Sequence, residues 1–340
     1  MATRKAIVHK SAGVAELATI PVPPPRDDYI IVKTKAVALN PTDWKSLHSR
    51  FTEGAIAGCD YAGIVEQVGS AVTNGLKVGD RVAGFVRGAD PDKIDGAFAD
   101  IIAAKGDLQI KIADSVSFEE GATLGVGIST VGQGLYQALG LPFPPQKVKE
   151  PTTILIYGGS TATGTLAIQF AKLSGCEVIT TSSPRNFDLC RSLGADQTFD
   201  YKEPDVGAKI REATKGRISL VFDTISELGS PEISAAAIGP AGGKYSSLLP
   251  VKTLGREDVS VGFTLAYTIF GLMVETPEQG VRDYEFGVKF WKLSEGLLNS
   301  GKLKAHPAEV REGGLIGILQ GLQDLKDGKV SGVKLVYKVE

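Results

Sequence analysis

The chain has 340 residues, enough for about two domains at the usual ~100–200 residues each. It is 43% hydrophobic with a formal net charge of −2 and no Lys/Arg block, which suits a packed globular protein and argues against a nucleic-acid surface or a polybasic membrane anchor. Met1 to Lys10 lacks the basic start and apolar run of a secretory signal, and the longest apolar stretch, near Phe263 to Val274, falls short of the ~20 residues that span a bilayer.

In chain order, the first third is rich in short β-type runs. "KAIVHK", "YIIVKTKAVAL", "YAGIVEQVG" and "RVAGFV" are separated by Gly, Pro, Asn and Asp, and the spacing predicts a compact β structure. "PVPPP" (Pro21 to Pro25) reads as a stiff connector. After about Gly121 the pattern changes. "GISTVGQGLYQALG" predicts a helix stopped by Gly140, and "LPFPPQKVKEP" a loop. From Thr152 strands and helices alternate: "TILIYG" and "TLAIQFAKLSG", "CEVITTS" and "PRNFDLCRSLG", "QTFDY" and "DVGAKIREATKG", "SLVFDT" and "PEISAAAIG", with "GGKYSSLL" last. That alternation predicts a doubly wound parallel sheet covered on both faces, with Leu166, Phe170 and Leu173 of the first helix packing on it. The tail predicts helices near Tyr284 to Ser300 and Gly314 to Asp327, then the strand "KLVYKV". A final strand needs a sheet to join, and the N-terminal β region is the available one. The three cysteines, Cys59, Cys176 and Cys190, are far apart with no CxxC pair. They suit small buried residues in a reducing cytosol rather than a disulfide framework or a structural zinc lobe.

The segment "ILIYGGSTATGTLAIQFAKLSG" carries the main chemical signal. A dinucleotide-binding turn uses one glycine for the bend, one for backbone approach to the pyrophosphate and one for helix–strand packing. Gly159, Thr161 and Gly164 hold those places, so the middle glycine is replaced by a hydroxyl flanked by Ser160, Ala162 and Thr163. Hydroxyls and helix N-terminal amides are then expected to share the phosphate contacts. The apolar strand before the turn, the amphipathic helix after it and the repeated βα pattern support nucleotide binding. An NAD site wants an acid about 20 residues on, bonding the ribose 2′-hydroxyl. Here the second strand ends in Thr181, Ser182 and Ser183, without an acid. Ser183 as N-cap and Pro184 as first helical residue would leave a helix N-terminus for a phosphate, with Arg185, Asn186 and Tyr201 beside it. These residues favour NADPH over NADH; the alternative is a routinely capped helix with an exposed arginine.

The chain resembles the medium-chain dehydrogenase/reductase superfamily over nearly its whole length. "GCDYAGIVEQVGSAVTNGLKVGDRVAGFV" is similar to that family's core signature and "ALNPTDWK" to its first catalytic loop. The resemblance implies a GroES-like β-rich catalytic domain (1–125, completed by 266–340) and an inserted Rossmann cofactor domain (126–265). Zinc-dependent members use a cysteine in the first loop and a histidine before the core glutamate. This chain has Asn40 and Pro41 in the one place, Cys59 and Asp60 in the other, and no four-cysteine lobe. With His9, His48 and His306 outside any ligand motif, no metal site is expected. Within the zinc-free branch the chain is similar to fungal trans-acting enoyl reductases, which serve polyketide synthases lacking a working reductase domain. "YGGSTATGT", "SPRNFDL", "GADQTFDY", "FDTI", "AAIGPAGGKY", "TLAYTIFG" and "GKVSGVKLVYKV" carry that likeness.

The resemblance implies NADPH-dependent reduction of a conjugated C=C, of the enoyl-thioester type. It puts Thr42, Asp43, Trp44 and Lys45 in a loop facing the nicotinamide, with Thr130 beside the ring. Leu248, Ser331 and Gly332 fall at cofactor-contacting turns. Gly125, Val126, Gly127, Ile128 and Ser129, and then Phe263, Thr264, Tyr267 and Phe270, fall on the substrate walls of an interdomain cleft. Lys45 is the candidate for stabilising the developing enolate, or is a surface lysine. Thr130 orients the ring or relays a proton, or is only a helix N-cap. Asp43 is expected to fix its loop. "FTLAYTIFGL" holds an acyl chain, or is core or a subunit contact. A quinone or alkenal reductase, and an NADPH-binding sensor without turnover, are the rival functions. The expected partners are a small-molecule or carrier-bound acyl substrate and a polyketide synthase, in a cytoplasmic monomer or homodimer.

Overall fold

The computed structural model describes residues 2–339; Met1 and Glu340, the outer ends of the expected domains, lie outside them. The segments up to Val126 and from Tyr267 onward form one compact unit, and Gly127–Ala266 forms another.

The first unit is built on β strands. They are β1 (Thr3–Ser11), β2 (Val14–Pro21), β3 (Tyr29–Ala38), β4 (Asp60–Val68), β5 (Arg81–Phe85), β6 (Ile101–Lys105) and β7 (Gln109–Lys111). Helices α1 (Pro41–Ser49), α2 (Phe118–Ala122) and the start of α3 (Gly125–Val131) complete its N-terminal part. β1 and β2 form an antiparallel pair. β3, rich in β-branched residues, is the hub of the larger sheet, pairing antiparallel with β4, β6 and the C-terminal strand. Its core gathers Ile7, Ile30, Val32, Tyr61 and Phe98.

The second unit runs β8 (Thr153–Tyr157), α4 (Ala162–Leu173), β9 (Glu177–Ser182), α5 (Phe187–Ser192), β10 (Gln197–Asp200), α6 (Val206–Ala213), β11 (Ile218–Asp223), α7 (Ser230–Ala237), β12 (Gly243–Ser247) and β13 (Val259–Phe263). Every pairing is parallel, in the order β10-β9-β8-β11-β12-β13. This is the 3-2-1-4-5-6 order of a doubly wound dinucleotide-binding sheet. The direction of winding reverses between β8 and β11, so the loops leaving those two strands flank the switch point. The chain then returns to the first unit through α8 (Pro277–Asn299), β14 (Ala308–Arg311), α9 (Gly314–Lys326) and β15 (Lys334–Lys338), which lies antiparallel to β3.

Four local expectations need correction. The parallel sheet does not end at "GGKYSSLL": β13 adds a sixth strand, an edge strand whose half-exposed residues give little burial signal. The helix read from "GISTVGQGLYQALG" starts at Gly125 and widens over Gly132–Ala138, where Leu139 N reaches back to Gly134 O. Thr130 therefore lies inside a helix, buried, and not at an N-cap. After β9, Ser183 is the N-cap and Pro184 the first residue as expected, but of a 3₁₀ turn (Pro184–Asn186) in which Ser183 makes no side-chain cap bond, and α5 follows from Phe187. Leu173 is only half-buried, unlike Leu166 and Phe170, because it sits in the last turn of α4. Among the described residues no helix is long and apolar enough to cross a membrane.

Candidate active site

In the second unit, β8 delivers the chain into the turn at Gly158–Gly164. Gly158, rather than Gly159, carries the left-handed backbone, with φ +81°. Gly164 answers a steric demand: a Cβ there would lie 2.2 Å from the carbonyl oxygen of Gly158. Thr161 is the N-cap of the twelve-residue α4, and its hydroxyl oxygen accepts from Gly164 N at 2.8 Å. The same hydroxyl lies 3.0 Å from Thr224 Oγ1, at the exit of β11. Thr161 thus ties the two sides of the switch point together, which is the physical use of the hydroxyl found where a glycine is usual. Ala162 and Thr163 open the first helical turn, where backbone N–H groups have no partner within the helix. Ser160 and Thr163 are half-buried beside them. Closely approaching backbone, a helix N-terminus and flanking hydroxyls form a cradle that fits a dinucleotide pyrophosphate.

At the end of β9, Thr181 and Ser182 are buried and no acid follows. Arg185 is exposed on the 3₁₀ turn, and Asn186 is half-buried at its end. Tyr201 is 38% exposed just after β10. Leu248 is fixed by a hydrogen bond from its N–H to Ser226 Oγ, 2.8 Å.

Sequence reasoning missed the residue that organises this loop. Asp223, buried at the end of β11, accepts from Ile225 N and Ser226 N at 2.9 Å each, from Ser230 Oγ at 2.5 Å and from Tyr245 Oη at 2.7 Å. Burial still holds its carboxyl above the usual range, against those hydrogen bonds. An aspartate closing a strongly apolar strand, "SLVFD", was the available signal.

In the first unit, α1 carries Thr42, Asp43, Trp44 and Lys45. Asp43 is buried and its Oδ2 accepts from Asn40 N at 2.6 Å, fixing the start of the helix. Burial pushes the Asp43 carboxyl up to about 7, with the Asn40 N–H pulling the other way and Asp60 adding repulsion. Lys45 is half-buried, its Nζ 5.7 Å from the Trp44 ring centre. Tyr267 comes from far along the chain to meet α1. Its hydroxyl lies 3.1 Å from Thr42 Oγ1 and 3.4 Å from Cys59 Sγ, and accepts from Arg50 Nη2 at 3.0 Å. The same Arg50 nitrogen donates to Thr42 at 3.1 Å, and the guanidinium sits 4.6 Å over the tyrosine ring. Phe85 packs between Tyr267 and Phe270, at centroid distances of 5.4 and 4.9 Å. Burial raises the Tyr267 hydroxyl and the Cys59 thiol, so both are neutral.

The expected wall residues divide between the two units. Tyr267 and Phe270 belong to the first unit. Phe263 and Thr264 belong to the second, at the end of β13, with Thr264 Oγ1 3.1 Å from Ser246 Oγ. Gly125 is closed off within the first unit, since a Cβ there would lie 2.3 Å from Asp60 Oδ1; Val126 donates its N–H to that same oxygen at 2.7 Å. Gly127 packs against Leu166 of α4, and Ile128, Ser129 and Thr130 are buried. Ser331 and Gly332 form the turn before β15, half-buried, with Gly332 at φ +72°.

Asp60 is committed elsewhere. Its carboxylate is ion-paired to Lys334 Nζ of β15, with both groups buried, and Lys334 also donates to Thr123 O at 3.2 Å. With Cys59 against Tyr267 and Asp60 against Lys334, the pair named from the sequence does not fit a zinc site. Among the described residues no group of three or more His, Cys, Asp and Glu could hold a metal ion.

Comparison with known proteins agrees with this architecture. Residues 26–114 match the alcohol dehydrogenase GroES-like domain, and residues 162–242 match the domain described as zinc-binding dehydrogenase. The chain is 57% identical to trans-enoyl reductase ACTTS2 of Alternaria alternata, covering 100% of both chains. It is 48% identical to trans-enoyl reductase resD of Aspergillus sclerotiorum, over 98% of this chain and 100% of that one. Among solved structures, the quinone oxidoreductase from Coxiella burnetii superposes with a TM-score of 0.74 at 26% identity, covering 100% of both chains.

Proposed function

The chain belongs to the medium-chain dehydrogenase/reductase superfamily, among the trans-enoyl reductases, and from that premise we propose that it reduces the conjugated C=C of an enoyl thioester with NADPH and without zinc. The observation that carries this reading is the end-to-end likeness to proteins named trans-enoyl reductases, 57% identical without a missing segment. The dinucleotide turn capped by Thr161 and the β9 end without an acid support it.

When bound, NADPH supplies the hydride. The turn residues Gly159 to Gly164 hold the pyrophosphate, and Arg185, with Ser183, Asn186 and Tyr201, binds the 2′-phosphate. Lys45 holds the thioester oxygen, on which negative charge grows as the β-carbon is reduced, so its ammonium acts most strongly in the transition state. The Thr130 hydroxyl orients the nicotinamide. Asp43 and the Thr42–Arg50–Tyr267 cluster keep the start of α1, and with it Lys45, in one position. The acyl chain is presented on the carrier of a polyketide synthase, as the word "trans" in the relatives' names suggests.

Quinone reduction is the second reading, supported by the full-length likeness to the Coxiella burnetii protein. Lys45→Ala tests the first reading. The expected result is a large fall in maximal rate with little change in NADPH affinity. An unchanged rate at saturating cofactor would remove Lys45 from the chemistry.

A further inference from the structure

The first unit holds a cavity to which the proposed reaction assigns no step. It lies among the β1–β2 turn, α1 and α9, with a volume of about 190 Å³. Its floor is apolar: Trp44 and Leu47 from α1, Leu319 and Leu322 from α9. Leu47 and Leu322 are each 5% exposed, so the floor is continuous with the core. Its rim is basic. Lys326 Nζ lies 3.5 Å from His48 Nε2, and among the described residues no acidic side chain lines the cavity. Gly13 makes the closure possible: it has φ +80°, and a Cβ there would lie 2.3 Å from His48 Cε1. A side chain at that position would push His48 off the rim.

Apolar floor and paired nitrogens together define one ligand chemistry. We propose that this cavity binds a small aliphatic monocarboxylate, its chain on Trp44 and the leucines and its carboxylate on the Lys326 ammonium at the rim. Lys326 is the donor in its contact with His48 Nε2 and keeps further N–H groups for a carboxylate oxygen, and an N⁺–H to O⁻ contact is the strong kind of hydrogen bond. A cavity of roughly 150 Å³ takes a benzene-sized molecule, so one of about 190 Å³ takes roughly the bulk of hexanoate. The site bears on the proposed chemistry through the helix it shares. Trp44 is the neighbour of Lys45, whose ammonium lies 5.7 Å from the indole, so an occupant that fixes the indole also acts on Lys45.

The protein carries its own probe. It has two tryptophans, and Trp291 is 1% exposed in α8, apart from this cavity. Hexanoate titrated into the full chain should move the Trp44 indole N–H resonance saturably and leave Trp291 unmoved, with Trp44→Phe assigning the signals. Hexanol, with the same chain and no charge, should bind about tenfold more weakly. Lys326→Gln, at an exposed position, should weaken hexanoate about tenfold and leave hexanol unchanged. Equal binding of hexanol and hexanoate, an unaltered affinity in Lys326→Gln, or no saturable Trp44 shift at ~10 mM ligand would each overturn the proposal. None of these readouts requires turnover, so they stand or fall independently of the enoyl-reductase reading.

Discussion

Asp43 shows what a single buried carboxyl does to α1. Its proton affinity in the fold, raised to about 7 by burial, exceeds that of an unfolded aspartate near 3.8. The folded state therefore binds more protons than the unfolded state between about pH 4 and pH 7. Stability from this group is fully present below the unfolded value and is lost as pH rises through 7. Asp43→Asn keeps an oxygen for Asn40 N–H and removes the titration. Denaturant unfolding should show the variant gaining on the parent by on the order of a few kcal/mol at pH 8, with the gap closing near pH 4. A gap independent of pH would mean that Asp43 does not titrate in this window. Tyr267 is the second residue to probe. Tyr267→Phe leaves the ring against Phe85 but removes the acceptor of the Arg50 N–H, and should cost about 1–3 kcal/mol. A thermal melt unchanged from the parent would show that Arg50 and Thr42 satisfy each other without it.

At the scale of elements, the turn between β8 and α4 is held by backbone proximity more than by its side chains. Gly164→Ala puts a methyl group into the Gly158 carbonyl, so the turn must open. The expected result is loss of NADPH binding together with on the order of 1–3 kcal/mol of stability. Thr161→Val removes only the cap and the Thr224 contact and should cost about 1 kcal/mol while the turn persists. Melting curves with and without NADPH separate the two; equal behaviour of the variants would refute the steric argument. This turn was legible in the sequence because strand, turn and helix signals are local and adjacent. β13 was not, since an edge strand with exposed Phe263 lacks a buried pattern. Nor was the start of the helix read from Gly127, which lies two residues earlier, at Gly125. Contacts such as Thr42 with Tyr267, 225 residues apart, leave no mark in any local window.

At the scale of the whole molecule, one buried ion pair closes the first unit. Asp60 of β4 and Lys334 of β15 are 274 positions apart, and each is sealed from water. Lys334→Met would leave Asp60 charged and unpaired apart from the Val126 N–H. Removing one member of such a pair costs about 3–5 kcal/mol, read as a lower melting temperature. The double replacement Asp60→Leu with Lys334→Met should recover part of that loss, and failure to recover any would argue that the contact to Val126 N matters more than the pair. The proposed preference for NADPH has its own test: Arg185→Ala should weaken NADPH by roughly 1.5–3 kcal/mol and leave NADH unaffected. All of this concerns a protein proposed to deliver reducing equivalents to an enoyl thioester. The most direct measurement is NADPH consumption by the purified chain with crotonyl thioester, with a quinone and with no acceptor, each with product identification. The account predicts consumption that depends on the thioester and yields the saturated acyl product. Turnover of the quinone alone, or cofactor binding without turnover of any enoyl thioester, would contradict it.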